Sequence, residues 1–97
     1  MVNPRLRIEI GYCPKCQWML RAAWYGQELL QTFSERIEEV ALIPEHETPG
    51  LFFVRVGATP VWDRKVDGGF PDIKVLKQRV RDVLDPDRDL GHTDRGG

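Results

Sequence analysis

Two cysteines, Cys13 and Cys16, are the only thiols in the 97-residue chain, and they stand three apart in "EIGYCPKCQWMLRAAWYGQ". Thiols at this spacing can close a disulfide with little movement when they share one turn, because a disulfide needs α-carbons only about 4.4 to 6.8 Å apart. The spacing therefore proposes thiol-disulfide chemistry at Cys13 and Cys16. Half of a tetrahedral metal site would use the same spacing but needs two further ligands. The chain supplies only His46 and His92, with no ligand spacing between them, so a metal site requires two copies of the chain. A third reading treats both thiols as small apolar side chains. No Ser-His-Asp constellation is visible. Gly68 and Gly69 lack the surrounding spacing of a phosphate loop and read as a turn, so no cofactor is expected.

Composition limits the partner. A formal net charge of -1 offers no broad cationic surface for nucleic acid or anionic lipid. No apolar run is long enough to span a bilayer, and "MVNPRLRIEIG" lacks the apolar core and cleavage site of a secretory signal. The expected location is cytoplasmic, where a permanent structural disulfide is rare and the cysteine pair needs another purpose. The expected partners are proteins or low-molecular-weight thiols and disulfides.

The elements that position the pair follow from periodicity. "RLRIEI" alternates, with Leu6, Ile8 and Ile10 on one face, as a strand covered on one side does. From about Cys13 to Arg36 the apolar positions Met19, Ala22, Ala23, Gly26, Leu29, Leu30 and Phe33 recur at helical spacing. Small residues at Ala22, Ala23 and Gly26 let that helix lie close to a sheet. A second strand follows around Val40 to Ile43, parallel to the first because a helix connects them. "LFFVRV" and "PVWDRKV", separated by "GAT", read as an antiparallel hairpin with Pro60 at a strand start. Pro71 suits a first helical turn, and Ile73, Leu76, Val80, Val83 and Leu84 share one face of a second helix. The result is one domain over residues 1–84, with 85–97 as a tail too poor in apolar side chains to order itself.

This order, β-α-β-β-β-α, describes an α/β two-layer sandwich: a four-stranded mixed sheet with two helices on one face. It matches the minimal thioredoxin-like core. Counting by twos along the hairpin, Leu51, Phe53, Pro60 and Trp62 point away from the helices if Phe52, Val54 and Val56 meet them. Such a patch is either a surface for a homodimer or other partner, or a one-residue slip in strand register.

A helix beginning at the cysteines would place both sulfurs by its unpaired N–H groups and positive dipole end, which favour a thiolate. Lys15 adds positive charge, and Pro14 fits a first helical position. Exposure at a helix start nominates Cys13 as the attacking sulfur and Cys16 as the resolving one, with the reciprocal assignment open. Tyr12, Trp18 and Tyr25 form either an apolar rim over the thiols that docks a partner or part of the core.

The strand leading into "YCPKC", the segment "GLFFVRVGATPVWDRK" and "GGFPD" together resemble the selenoprotein W, T and H family, also called the Rdx family, from about Arg5 to Leu84. The resemblance implies a thioredoxin-like fold and a thiol-disulfide redox role. In selenocysteine-bearing relatives the selenium position matches Cys16 and the first cysteine matches Cys13. The resemblance thus places the most reactive atom at Cys16, opposite to the helix-start argument. Sulfur in place of selenium implies slower chemistry, and Pro14 and Lys15 replace the small residues common between the two redox positions. Thr48-Pro49, just before the third strand, stands where thioredoxin-like proteins carry a cis-proline facing the dithiol and the substrate backbone; a plain trans turn is the alternative. Tyr12, Pro14, Lys15, Trp18, Thr48 and Pro49 are the candidate substrate-binding residues. The function expected is a thiol-disulfide redox protein; the alternatives are a redox-regulated binding module without turnover and a dimeric metal site.

Overall fold

Leu6 to Tyr12 form β1, in which Ile8, Ile10 and Tyr12 are buried on one face. The computed structural model describes residues 4–91 of the chain. The first helix, α1, spans Met19–Thr32, shorter at both ends than its apolar period suggests. Before it, Gln17 takes a left-handed φ of 61°, which breaks the helical path between the cysteines and Met19. After it, the Phe33 N–H still reaches the Leu29 carbonyl at 2.9 Å. The chain then turns through Ser34 to Arg36 into β2, Ile37–Pro44.

β2 pairs parallel to β1, and β3, Phe52–Val56, pairs antiparallel on β1's other side. β4, Thr59–Asp63, pairs antiparallel with β3, so the sheet order is β2-β1-β3-β4. Ala22, Tyr25, Gly26 and Leu29 face the sheet from α1. The close approach predicted from the small residues is real: a β-carbon on Gly26 would lie 3.2 Å from Val40 Cγ1. Two further helices follow β4. A single turn, α2, covers Arg64–Asp67, and α3 covers Ile73–Leu84 with Leu76, Val80 and Leu84 buried. The mixed sheet and the two long helices on one face agree with the expected architecture.

Three local readings need correction. The end of "PVWDRKV" is helical, because the Asp63 carboxylate accepts hydrogen bonds from the N–H groups of Lys65 and Val66, at 2.9 and 3.3 Å, and so caps a helix. Gly68, with φ of 80°, ends that helix at once. Pro71 precedes α3 instead of sitting in its first turn; Asp72 is the cap, accepting from the Lys74 N–H at 2.8 Å. Third, Trp62 does not share an outward face with Phe53. The β3–β4 register shifts between Val54 and Arg55, so that Val54 opposes Trp62 and Arg55 opposes Pro60. Val61 is the extra residue of a bulge, which turns Trp62 to the helix side, where both it and Val61 are buried. Its indole N–H donates to the Gly69 carbonyl at 2.9 Å.

With Trp62 turned to the helix side, the opposite sheet face keeps Phe53 beside Gly11 and carries a row of charges next to them. Glu39 on β2 pairs with Arg7 on β1 at 3.2 Å, Arg7 with Glu9 at 3.4 Å, and Glu9 with Arg55 on β3. Arg55 lies over the Phe53 ring, 5.0 Å from its centroid. These charges tie β1 to its neighbours on both sides. Beyond α3, residues expected to belong to a tail contact the body: Leu90 packs on the core, and Arg88 lies 5.2 Å over the Phe33 ring. Residues 92–97 of that tail, His92 among them, lie outside the described residues.

Candidate functional site

β1 delivers its last residues directly into the cysteine segment. Cys13 follows Tyr12 at the strand's end, and Pro14 to Gln17 form a turn closed by the Gln17 N–H on the Pro14 carbonyl at 3.1 Å. Both cysteines thus precede α1, and the N–H groups available to them come from turns, not from the helix. That replaces the expectation of a dithiol in the first helical turn. The physical cause is the left-handed Gln17, since no α-helix can run through a residue of that φ.

The two side chains lie close enough for each to shift the other's ionisation. Cys13 is buried, at 3 % exposure, while Cys16 is half-buried. The exposure order is the reverse of that expected from a helix start. The hydrogen bond from Cys16, followed by that from the Gly50 N–H, holds the Cys13 thiol below its ordinary range despite burial, and the Cys16 and Lys15 N–H groups add to this. For Cys16 the same bond to Cys13 acts in the opposite sense and pushes its thiol up, with burial adding to it. One proton is thus shared unevenly, with charge favoured on the inner sulfur and the proton on the outer.

Thr48 to Leu51 make a second turn, closed by the Leu51 N–H on the Thr48 carbonyl at 3.2 Å. Pro49 in its second position and Gly50, with φ of 79°, in its third carry the signature of a type II turn. No peptide bond among the described residues is cis, so Thr48-Pro49 is trans. This turn brings the Gly50 N–H to both sulfurs.

Of the other predicted residues, Lys15, Thr48 and Pro49 are exposed and Pro14 is half-buried around the cysteines. Tyr12 and Tyr25 belong to the core, at 7 % and 3 % exposure, and do not form a rim. The Tyr25 hydroxyl donates to the Pro71 carbonyl at 2.7 Å. Trp18 is partly buried and packs edge-on against Phe70, 4.9 Å between centroids. Phe70 in turn meets Phe52 at 5.0 Å, so a wall of rings runs from Trp18 into the core.

Sequence reasoning missed Gly50, Phe70 and Arg64. Arg64 Nε donates to the Gly50 carbonyl at 3.0 Å, and its guanidinium lies 5.1 Å over the Trp18 ring. A signal was present in "WDRKVDGG", where Asp63 and Gly68 bracket one helical turn, but the β-branched and aromatic run before it disguised the change. Among the described residues no three His, Cys, Asp or Glu side chains converge as metal ligands, and His46 is exposed. No helix among them is long and apolar enough to cross a membrane.

A model of the Rdx family matches residues 7–82. The chain belongs to the Rdx family. A selenoprotein W-related protein from Vibrio cholerae is 56% identical, with a TM-score of 0.79, over 84% of this chain and 99% of that one. A crystal structure from Bordetella parapertussis is 57% identical, with a TM-score of 0.78, over 84% of this chain and 100% of that one. A comparison with curated proteins found no match. The Rdx match includes both cysteines, Gly50 and Arg64, and the fold is thioredoxin-like.

Proposed function

We propose that this Rdx protein is a thiol-disulfide oxidoreductase whose Cys13 and Cys16 sulfurs alternate between dithiol and disulfide. The observation that carries the reading is the closely placed pair of free cysteines, one buried and the other half-exposed. An attacking sulfur must reach its target along the axis of the target S–S bond, which a sulfur at Cys13's burial cannot do without rearrangement. Cys16 is therefore the attacker, in agreement with the position that the family resemblance favoured.

In the first step the shared proton passes from Cys16 to Cys13. The Cys16 thiolate attacks one sulfur of a substrate disulfide, and the departing thiolate takes the proton from Cys13. The Cys13 thiolate, held by the Gly50, Cys16 and Lys15 N–H groups, then attacks Cys16 Sγ. A second substrate thiolate leaves, and the Cys13–Cys16 disulfide remains. Two electrons have moved from the protein to the substrate. A cellular thiol donor returns them, and a cytoplasmic setting, kept reducing, fits that cycle. Substrates are protein or low-molecular-weight disulfides.

The test is trapping. Cys13→Ser, mixed with hydroxyethyl disulfide, should accumulate a mixed disulfide on Cys16 visible by intact mass, whereas Cys16→Ser should react far more slowly. A wild-type protein that stays fully reduced in an excess of oxidised thiol would remove the redox reading.

A further inference from the structure

The guanidinium of Arg64 lies where three segments of the site meet, and its own backbone is held on every side. Asp63 caps the turn that carries it, and the Arg64 carbonyl accepts from the N–H groups of Gly68 and Gly69, at 3.0 and 2.9 Å. From that anchored start the side chain reaches the 48–51 turn through Gly50's carbonyl and the cysteine turn through the face of Trp18. Space at Gly50 is part of the fit. A β-carbon there would come within 3.3 Å of Arg64 Nη2, so the guanidinium fills the volume that a side chain at position 50 would enter.

We infer that Arg64 is a positioning residue for the dithiol, clamping the Gly50 turn and the Trp18 end of the cysteine turn so that the Gly50 N–H stays on both sulfurs. It does so through Gly50 and Trp18, hence the term. The inference rests on the redox reading of the pair and adds to it a residue outside the cysteine segment. Its charge works in the same direction, favouring ionised Cys16, the sulfur assigned to attack. Lys15, the cation inside the cysteine turn, is exposed. A guanidinium suits the task better than an ammonium, because its planar fork can donate to a carbonyl while its face lies on an indole.

Arg64→Met and Arg64→Lys, each in a Cys13→Ser background so that Cys16 alone reacts, test this by the pH profile of iodoacetamide alkylation. Arg64→Met should slow Cys16 alkylation near neutral pH by roughly threefold to tenfold, the reach of one partly screened surface charge, with the profile moved to higher pH. Arg64→Lys should recover only part of the loss, since it keeps the charge and loses the fork. A merely structural Arg64 would lower Tm and leave the Cys16 profile in place, and that result overturns the inference. If Arg64→Met fails to fold, salt decides the matter in the Cys13→Ser protein with Arg64 intact. Raising ionic strength to 1 M should slow Cys16 alkylation at fixed pH, and an unchanged rate counts against Arg64. Alkylation needs no disulfide substrate, so a protein that shows the Arg64 effect but never cycles would refute the redox reading alone.

Discussion

Gly11 and Phe53 face each other across β1 and β3 on the open side of the sheet, and their contact yields a prediction whose sign depends on the background. A β-carbon on Gly11 would place three Phe53 ring atoms within 2.7 Å, so Gly11→Ala must expel the ring. The ring is half-buried. Full burial of a phenylalanine is worth about 1.5–3 kcal/mol, so about half of that is lost, together with about 0.5 kcal/mol from the Arg55 cation over the ring. Alanine recovers about 0.5–1 kcal/mol of backbone cost relative to glycine in a strand. The net expectation is a loss of about 0.3–1.5 kcal/mol, or up to several degrees in Tm for a domain of this size. In a Phe53→Ala background the ring is gone, only the backbone gain remains, and the same Gly11→Ala change should stabilise by about 0.5–1 kcal/mol. Urea denaturation of the four proteins completes the cycle. Effects of Gly11→Ala that agree in sign and add within about 0.5 kcal/mol would refute the packing argument.

Other expectations follow from the same contacts. Tyr25→Phe leaves the Pro71 carbonyl without its donor inside the protein and should cost about 1–3 kcal/mol, read by calorimetry. Asp63→Ala should lose about 1 kcal/mol with the α2 cap and slow Cys16 alkylation as Arg64 loosens, while a protein destabilised with unaltered alkylation argues against that link. Thiolate absorbance of the wild type should titrate in two steps, one below and one above the ordinary thiol range, and Cys13→Ser should leave a single step. Hydrogen bonding to Arg55 holds Glu9 below its ordinary 4.5, and the Asp63 N–H, then Arg79, hold Asp67 below its ordinary 3.8. Depressed folded values mean that both stabilise above those ordinary values and lose their contribution as the pH falls through the folded ones. Acid unfolding of Glu9→Gln and Asp67→Asn should accordingly show a shallower decline than the wild type.

What the sequence determined alone is what depends on neighbours a few residues away. The alternation of Leu6, Ile8 and Ile10, the helical spacing of Ala22, Gly26, Leu29 and Phe33 (though Met19 and Leu30 of the same period are exposed), and the interval between Cys13 and Cys16 are local periods. Each survived into the structure as a strand face, a helix face and a contacting thiol pair. Tertiary structure decided whatever required knowing the partner. Trp62 changed sides because the pairing of β4 with β3 skips Val61, and no count along one strand contains the register of two. Cys13 became the covered sulfur because it continues directly from the end of β1 inside the fold, while the left-handed Gln17 keeps both cysteines out of the helix. Gly50 and Arg64 stand 14 residues apart, in segments that read as a turn and a strand, and only the packing of α2 beside the sheet brings guanidinium, carbonyl and thiols together. Short-range sterics write the periods, but burial and charge at a site are sums over neighbours that the folded chain alone supplies.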